Sequence, residues 1–193
     1  MKVGVLAIQG AVSEHINMLK RAGAETLAVK TVEEINSVDG LILPGGESTT
    51  IGRLMHFYKI DTAIKKRAME GMPIYGTCAG MILLSNHING HDQPTLELLN
   101  ATIVRNAFGR QVDSMEVDLT VKGFDTPFHA TFIRAPIAKD PGKDVEILSE
   151  LPEGVVFIRQ KNILASSFHP ELGKDLRIHR YFLDRVRNFL NKQ

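Results

Sequence analysis

Cysteine is nearly absent from this sequence, because Cys78 is the only one among 193 residues. A lone cysteine cannot form a disulfide within the chain, which excludes a disulfide-stabilised fold, and its thiol stays free in a reducing compartment. An excess of charge is also missing: 23 lysines and arginines face 22 aspartates and glutamates, for a net charge of +1. No overall field attracts nucleic acid or a membrane surface, so we expect neither as a partner.

Long apolar runs are absent as well. No stretch approaches the roughly 18 consecutive apolar residues that a membrane-spanning helix needs. The first ten residues, MKVGVLAIQG, lack the long apolar core and the small-residue cleavage site of a secretory signal. We therefore expect a cytoplasmic protein. The length and a hydrophobic content of 44% predict one compact domain over residues 1–193.

The first half of the sequence alternates short apolar runs with amphipathic stretches, which is typical of βα units around a mainly parallel sheet. The predicted strands are 3–8, 26–30, 40–43 and 73–75. The predicted helices are 14–21, 49–58 and 62–70, and Ser48 and Asp61 are expected to cap the last two. The pattern predicts a three-layer α/β fold, in which helices flank a central sheet.

The second half changes character, and its apolar runs are typical of strands joined by turns. These predicted strands are 101–104, 115–121, 128–133, 145–148, 155–160 and 163–168. We expect them to add antiparallel strands to the sheet. Residues 176–190 are predicted to form an amphipathic helix with Ile178, Phe182, Val186 and Phe189 on its apolar face.

Cys78 lies in the segment IYGTCAGM, where a predicted strand runs into a cysteine between Gly76 and Gly80. Gly-x-Cys-x-Gly between a strand and an apolar stretch is the cysteine form of a nucleophile elbow, in which glycines permit a sharp turn and the approach of a substrate. A helix that begins after Cys78 would favour a thiolate, and the N–H of Ala79 could face an oxyanion. The alternative is that Cys78 is a small buried hydrophobic residue, the usual fate of a free cysteine.

A cysteine nucleophile needs a base, and seven histidines are available. Only His169 has suggestive neighbours, because it follows predicted strand 163–168 and precedes Glu171 by two residues. Glu171 could accept a hydrogen bond from the imidazole and set its tautomer while the other ring nitrogen faces the thiol. We therefore predict a relay of Cys78, His169 and Glu171. The alternative is that His169 and Glu171 are ordinary loop residues.

The loop 44–48, PGGES, follows a predicted parallel strand, so it should lie beside Cys78 at the same edge of the sheet. The N–H of Gly46 could there be a second oxyanion donor, with no side chain in the way. A phosphate-binding loop is the competing interpretation. It is disfavoured because the Walker pattern needs Gly-Lys-Ser/Thr, whereas Glu47 places a negative charge where phosphate would sit.

His87 and His91 have the i, i+4 spacing of a metal-binding pair. Asn89 and Gly90 favour a loop between them, and no third ligand stands nearby in the sequence. We therefore predict no metal site.

Six segments together resemble the glutamine amidotransferases that use a Cys-His-Glu triad. They are VLAIQGAVSEH, LILPGGESTTIGRL, PIYGTCAGMILL, VRNAFGRQVDSMEVDL, PFHATFIRAP and ASSFHPEL. GTCAG and FHPE indicate the wider family, whereas GGESTT, RNAFGRQ and FIRAP indicate its branch of glutaminase subunits of pyridoxal 5'-phosphate synthase. The resemblance spans the chain and implies the flavodoxin-like fold of class I glutamine amidotransferases.

The resemblance implies that Cys78 is the nucleophile, that His169 is the general acid/base and that Glu171 orients it. Gly46 and Ala79 would form the oxyanion hole. The residues implied to bind glutamine are Gly46, Glu47, Ser48, Arg105, Ile133 and Arg134. Without the resemblance, both arginines would be read as solvated side chains on strands.

The resemblance further implies hydrolysis of L-glutamine to L-glutamate and ammonia, with no cofactor. Ammonia would pass to the synthase subunit, a (β/α)8 barrel that joins it with a pentose phosphate and a triose phosphate to make pyridoxal 5'-phosphate. Such a barrel takes about 250 residues, more than this chain offers, so a separate partner is expected. Residues 9–12, at the end of the first strand, are its expected docking site.

Two other functions stay open from the residues. A cysteine peptidase or a redox sensor on a related fold would share an elbow cysteine, but would give no reason for Arg105 or for the FIRAP segment. A regulatory binding subunit could retain the fold without catalysis.

Overall fold

The structure, a computed structural model, describes residues 1–108 and 114–192. Within these ranges the helices are α1 (Val12–Arg21), α2 (Val32–Asn36), α3 (Ser48–Phe57), α4 (Ile60–Met69), α5 (Ala79–Leu84) and α6 (Arg177–Leu190). The first six strands are β1 (Lys2–Leu6), β2 (Glu25–Val29), β3 (Gly40–Leu43), β4 (Ile74–Thr77), β5 (Ser85–Ile88) and β6 (Leu99–Val104). The next six are β7 (Ser114–Leu119), β8 (Phe128–Ile133), β9 (Ile137–Lys139), β10 (Glu146–Leu151), β11 (Gly154–Gln160) and β12 (Ile163–Ser166).

One sheet runs through the molecule in the order β2-β1-β3-β4-β12-β11-β9-β6-β5, and β10 pairs with β11. The half from β2 to β12 is parallel throughout. Antiparallel pairs then join β12, β11, β9 and β6. Strands β7 and β8 form a separate antiparallel pair. The predicted fold class, a mainly parallel sheet with added antiparallel strands, is confirmed.

Two hydrophobic cores lie on opposite faces of the parallel half, because successive side chains of a strand point to opposite faces. In β3, Leu41 and Leu43 join the core that α3, α4 and α5 cover, whereas Ile42 joins the core covered by α1 and α6. This arrangement produces the three layers. It also explains why the parallel strands are continuous apolar runs in the sequence.

Strand β12 differs from the expectation of an antiparallel addition. It pairs in parallel with β4, with Ser166 opposite Thr77, and antiparallel with β11. The sheet therefore changes from parallel to antiparallel at β12. As a consequence, the end of β12 lies at the same edge as the ends of β3 and β4.

The predicted caps of α3 and α4 were wrong. Helix α3 begins at Ser48, and the carboxylate of Glu47 accepts the N–H groups of Thr49 at 3.0 Å and Thr50 at 2.7 Å. Helix α4 begins at Ile60, directly after Lys59, which adopts a left-handed φ of 61°. The side chain of Glu47 caps α3, and the left-handed Lys59 directly precedes α4. Each helix therefore begins earlier than capping preference predicts.

Helix α2 and strands β5 and β9 were not predicted. Helix α2 has a capping box, in which Thr31 and Glu34 exchange side-chain and backbone hydrogen bonds, and this T-x-x-E signal was present in the sequence. Strands β5 and β9 are short and depend on pairing with β6. No helix within residues 1–108 and 114–192 is long and apolar enough to cross a membrane.

Candidate active site

Cys78 occupies a sharp turn between β4 and α5, with φ 50° and ψ −103°. Its N–H donates to the carbonyl of Ser166 at 2.8 Å, and its carbonyl accepts from Met81 at 3.1 Å. The first bond continues the pairing of β4 with β12, and the second closes the first turn of α5. These two hydrogen bonds thus stabilise the strained backbone of Cys78, as expected of a nucleophile elbow.

The two glycines around Cys78 are required by close packing. A Cβ added to Gly80 would lie 2.1 Å from the carbonyl oxygen of Leu43, and one added to Gly76 would lie 2.5 Å from the carbonyl carbon of Gly80. Both contacts are with backbone atoms, which cannot move aside as a side chain could. Helix α5 can therefore pack against β3 and β4 only because glycine stands at both positions.

His169 and Glu171 lie at the end of β12, where a 3₁₀ turn, Pro170–Leu172, follows His169. Nδ1 of His169 is 2.7 Å from Oε1 of Glu171, whose side chain is fully buried. Burial disfavours a charged imidazole, but the interactions with the Cys78 sulfur and the Glu171 carboxylate outweigh it and raise the pKa of His169 to about 10. Burial also favours the neutral acid of Glu171, yet neighbouring His15 and His169 lower the pKa of its carboxyl group.

Gly45 lies beside the side chains of both Cys78 and His169. A Cβ added to Gly45 would lie 2.5 Å from Cε1 of His169 and 3.6 Å from Cβ of Cys78. The side chains from β4 and β12 thus flank the loop that follows β3. Sequence reasoning placed this loop at the site but overlooked Gly45.

We predict that Gly45→Ala lowers glutamine hydrolysis, the activity implied by the sequence, by about 100-fold, because a methyl group would displace the imidazole of His169. Gly173→Ala is the matched control, since a Cβ there would meet only Asp175 N and Pro170 O, both at 3.9 Å. Glutamate release and the thermal unfolding midpoint should be measured for both variants. Wild-type activity in Gly45→Ala would contradict the placement of the imidazole.

The predicted oxyanion donors lie on two sides of Cys78. Ala79 is the first residue of α5, where a backbone N–H has no acceptor within the helix. The carbonyl of Gly45 accepts from Ala11 at 3.3 Å. In a trans peptide the N–H points opposite to the carbonyl, so the N–H of Gly46 points away from Ala11.

The residues predicted to bind substrate line one open cavity of about 680 Å³, a size typical of small-molecule sites. Its lining includes Gly46, Glu47, Ser48, Cys78, Ala79, Arg105, Ile133, Arg134 and His169. The Cys78 Sγ lies 3.8 Å from the carbonyl of Ile133. Arg134 follows with a left-handed φ of 43°. The structure therefore gathers every predicted substrate-binding residue around the sulfur.

Arg105 is oriented by a polar cluster on the wall of the cavity. Its guanidinium lies 3.3 Å from Oε1 of Gln93 and 3.7 Å from Glu47. The same Gln93 oxygen accepts from the hydroxyls of Ser48 at 3.3 Å and Thr49 at 3.2 Å. Hydrogen bonds from Thr50 and Thr49 outweigh slight burial and lower the pKa of Glu47 to about 2. Gln93 was not predicted, because no motif surrounds it.

The remaining sequence expectations concern the pair His87 and His91 and the segment RNAFGRQ. His87 lies in β5, and Asn89 and Gly90 form a turn after it, as the sequence predicted. The described residues contain no group of three or more His, Cys, Asp or Glu able to hold a metal ion. Residues 109–113, GRQVD, which include the end of the RNAFGRQ segment, lie outside the described residues.

Comparisons with known proteins agree on one family. A model described as the SNO glutamine amidotransferase family matches residues 5–188. A Niallia circulans protein named pyridoxal 5'-phosphate synthase subunit PdxT is 50% identical over 187 residues, which are 97% of this chain and 98% of the relative. A Bacillus pumilus protein of the same name is 49% identical over 192 residues, covering 100% of this chain and 98% of the relative.

Solved structures agree with the fold. One, described as a crystal structure of glutamine amidotransferase, has a TM-score of 0.92 and 50% identity, and covers 96% of this chain and 98% of that chain. The structure of PurLQS from Thermotoga maritima has a TM-score of 0.67 and 20% identity over 98% of both chains, and indicates the fold alone.

Proposed function

The chain belongs to the SNO glutamine amidotransferase family, and from this membership we propose that it is the glutaminase subunit of a pyridoxal 5'-phosphate synthase. It hydrolyses L-glutamine to L-glutamate and ammonia, and the ammonia serves vitamin B6 biosynthesis. The family membership predicted from the sequence is confirmed by the family model and by the relatives.

One structural observation supports the proposal most strongly. The segments that bear Gly45 to Glu47, Cys78 and His169 follow β3, β4 and β12, which are adjacent parallel strands. Their C-terminal ends therefore meet at one edge of the sheet, where ligands of open α/β sheets bind. At this edge a nucleophile, an oriented imidazole and an arginine share one cavity.

The proposed reaction begins with attack of the Cys78 sulfur on the side-chain carboxamide of glutamine. The N–H groups of Gly46 and Ala79 stabilise the tetrahedral oxyanion. His169 then protonates the departing nitrogen, which leaves as ammonia and leaves a γ-glutamyl thioester on the sulfur. His169 next takes a proton from water, which attacks the thioester and releases glutamate and the free sulfur.

Arg105 pairs with the α-carboxylate of glutamine in this proposal, and Glu47 receives its α-ammonium. We predict that Arg105→Ala raises KM for glutamine about 10- to 100-fold with a smaller change in kcat, because a charge-assisted hydrogen bond contributes about 1.5–3 kcal/mol. Arg53→Ala, at an exposed position of α3, is the matched control. An unchanged KM in Arg105→Ala would remove Arg105 from the binding site.

The partner is a synthase subunit, as the relatives' names imply. We propose that it is a (β/α)8 barrel that receives the ammonia directly and joins it with a pentose phosphate and a triose phosphate. Gln9 and Gly10 are exposed beside the site, and the side chain of Gln9 accepts the N–H of Glu47 at 3.2 Å. Docking on residues 9–12 would therefore act on the loop that carries Gly46.

The proposal is tested by mixing the purified chain with its cognate synthase subunit. We expect glutamate release from L-glutamine to increase strongly on mixing, and ¹⁵N from the amide of glutamine to appear in pyridoxal 5'-phosphate. Ammonia released wholly to solvent, with no ¹⁵N in the product, would argue against direct transfer. Absence of glutamate release with the partner present would overturn the glutaminase assignment.

A further inference from the structure

Two buried histidines lie behind Glu171 and have no part in the mechanism above. His15 on α1 and His179 on α6 are both fully buried. Nδ1 of His15 is 3.1 Å from Nε2 of His179. Nε2 of His15 is 3.1 Å from the hydroxyl oxygen of Thr77 and 3.4 Å from Oε2 of Glu171. His15 therefore contacts the carboxylate that orients His169.

The two oxygens of Glu171 have different surroundings. Oε1 accepts from Nδ1 of His169 at 2.7 Å. Oε2 is buried and has no hydrogen-bond partner within the described residues, and Nε2 of His15 lies 3.4 Å from it. A buried carboxylate oxygen without a nearby donor is costly. The protonation state of His15 therefore determines whether Oε2 of Glu171 faces an N–H group or a nitrogen lone pair.

Both buried histidines are neutral around pH 7. Burial lowers the pKa of His15, against the opposing charge of Glu171. Burial, together with the proximity of His15, lowers the pKa of His179 to about 3. Each ring then has one N–H, and because Nδ1 of His15 contacts Nε2 of His179, one of these two nitrogens donates and the other accepts.

The contacts distinguish the two possible arrangements. If Nδ1 of His15 donated, its Nε2 lone pair would face the Glu171 oxygen, and His179 would carry its proton on Nδ1, which is buried without a partner. If Nε2 of His179 donates instead, Nε2–H of His15 faces both Thr77 and Glu171. The second arrangement leaves no buried N–H unpaired, and an unpaired buried donor is rare in folded proteins.

We propose that His15 is a positioning residue for glutamine hydrolysis, which keeps its proton on Nε2 and directs this N–H at the second oxygen of Glu171. The proposal rests on the proposed function and extends the triad by two residues. In this arrangement His179 donates to His15, Nε2–H of His15 donates to the hydroxyl of Thr77 at 3.1 Å with Oε2 of Glu171 3.4 Å away, and His169 donates to Oε1 of Glu171. Glu171 thus stays ionised and fixed, and Nε2 of His169 remains available for the sulfur.

Titratable and charged groups face this pair from several elements. Around His15 they are Glu171, His169, His179 and Glu14, and around His179 they are His15, Glu171 and Arg21. Glu171 is the only carboxylate of this set that contacts an imidazole nitrogen within 4 Å in the described part of the chain. The effect of a substitution at His15 on His169 should therefore pass through Glu171.

The tautomer can be tested without any activity measurement. ¹⁵N-labelled histidine in the full chain, with the His15 signals assigned by comparison with His15→Gln, should show neutral His15 with a protonated Nε2 and an unprotonated Nδ1 from pH 6 to pH 8. A protonated Nδ1 would overturn the proposal. If wild-type protein failed to hydrolyse glutamine, the proposed function would fall while this result still decided the state of His15.

The positioning role is tested in the complex with the synthase subunit. His15→Leu removes both nitrogens, and we expect kcat to fall about 10- to 100-fold with an unchanged KM for glutamine. Loss of the donor raises the pKa of Glu171, so the acid limb of the kcat profile should move to higher pH. His15→Gln, which retains an N–H near the position of Nε2, should recover most of kcat and the wild-type limb.

Met18→Leu is the matched control for packing, because Met18 is buried on the same face of α1, and it should keep the wild-type rate and pH profile. A His15→Leu variant with the wild-type acid limb would reduce His15 to a packing residue. The same conclusion would follow if His15→Gln were as slow as His15→Leu.

Discussion

Replacing Cys78 with alanine is expected to lower glutamate release from L-glutamine by about 10³-fold or more in the complex with the synthase subunit. The sulfur is the atom that forms the γ-glutamyl thioester in the proposed reaction, and no other cysteine exists in the chain to replace it. The loss should fall on kcat, because Arg105 and Glu47 still bind the substrate. The measurement is steady-state glutamate formation over a range of glutamine concentrations.

The control for this variant is its assembly with the partner. Cys78→Ala leaves residues 9–12 and the loop after β3 unchanged, so co-sedimentation with the synthase subunit should be the same as for wild type. A glutamine-like electrophile should label the wild-type complex at Cys78 and leave the variant unlabelled. Glutamine hydrolysis at the wild-type rate in Cys78→Ala would show that another group is the nucleophile.

The positions of the triad segments could be predicted because each follows a strand buried in the sheet. Ile42, Ile74 and Leu164 belong to short apolar runs, and all three are fully buried. Ends of parallel strands share one edge, so the elbow at Cys78 and the loop after β3 could be placed together. His169 could be selected from its place after predicted strand 163–168 and its spacing from Glu171, but its edge of the sheet could not be predicted, because β12 was expected to be antiparallel.

The contacts of Gly45 and His15 could not be predicted, because they join distant parts of the chain. His15 lies 164 residues from His179 in the sequence, and each is one histidine on an amphipathic helix. The buried residues of α1 are His15, Met18 and Leu19, and Val12 and Ile16 pack against the same core.

His169 should be the second most sensitive position, because it is expected to transfer a proton in both halves of the reaction. Its imidazole is held by Glu171 at 2.7 Å and has a pKa raised to about 10. An unfolded histidine has a pKa of about 6.5. Because the folded value is the higher one, the protonated ring stabilises the folded state fully below about pH 6.5, and this contribution is lost as the pH rises through about 10.

His169→Asn removes this proton carrier while leaving a polar side chain near Glu171, and we expect kcat/KM to fall by about 10²- to 10⁴-fold. Wild type should lose activity as the pH rises through about 10, because the imidazolium that protonates the departing nitrogen disappears, and the variant should lack this limb. The difference in free energy of unfolding between wild type and variant should be largest below pH 6.5 and should shrink toward pH 10. Chemical denaturation at several pH values measures it. A difference that stays constant over this range would show that the folded protein does not raise the pKa of His169, and the proton donor would then have to be sought elsewhere in the cavity.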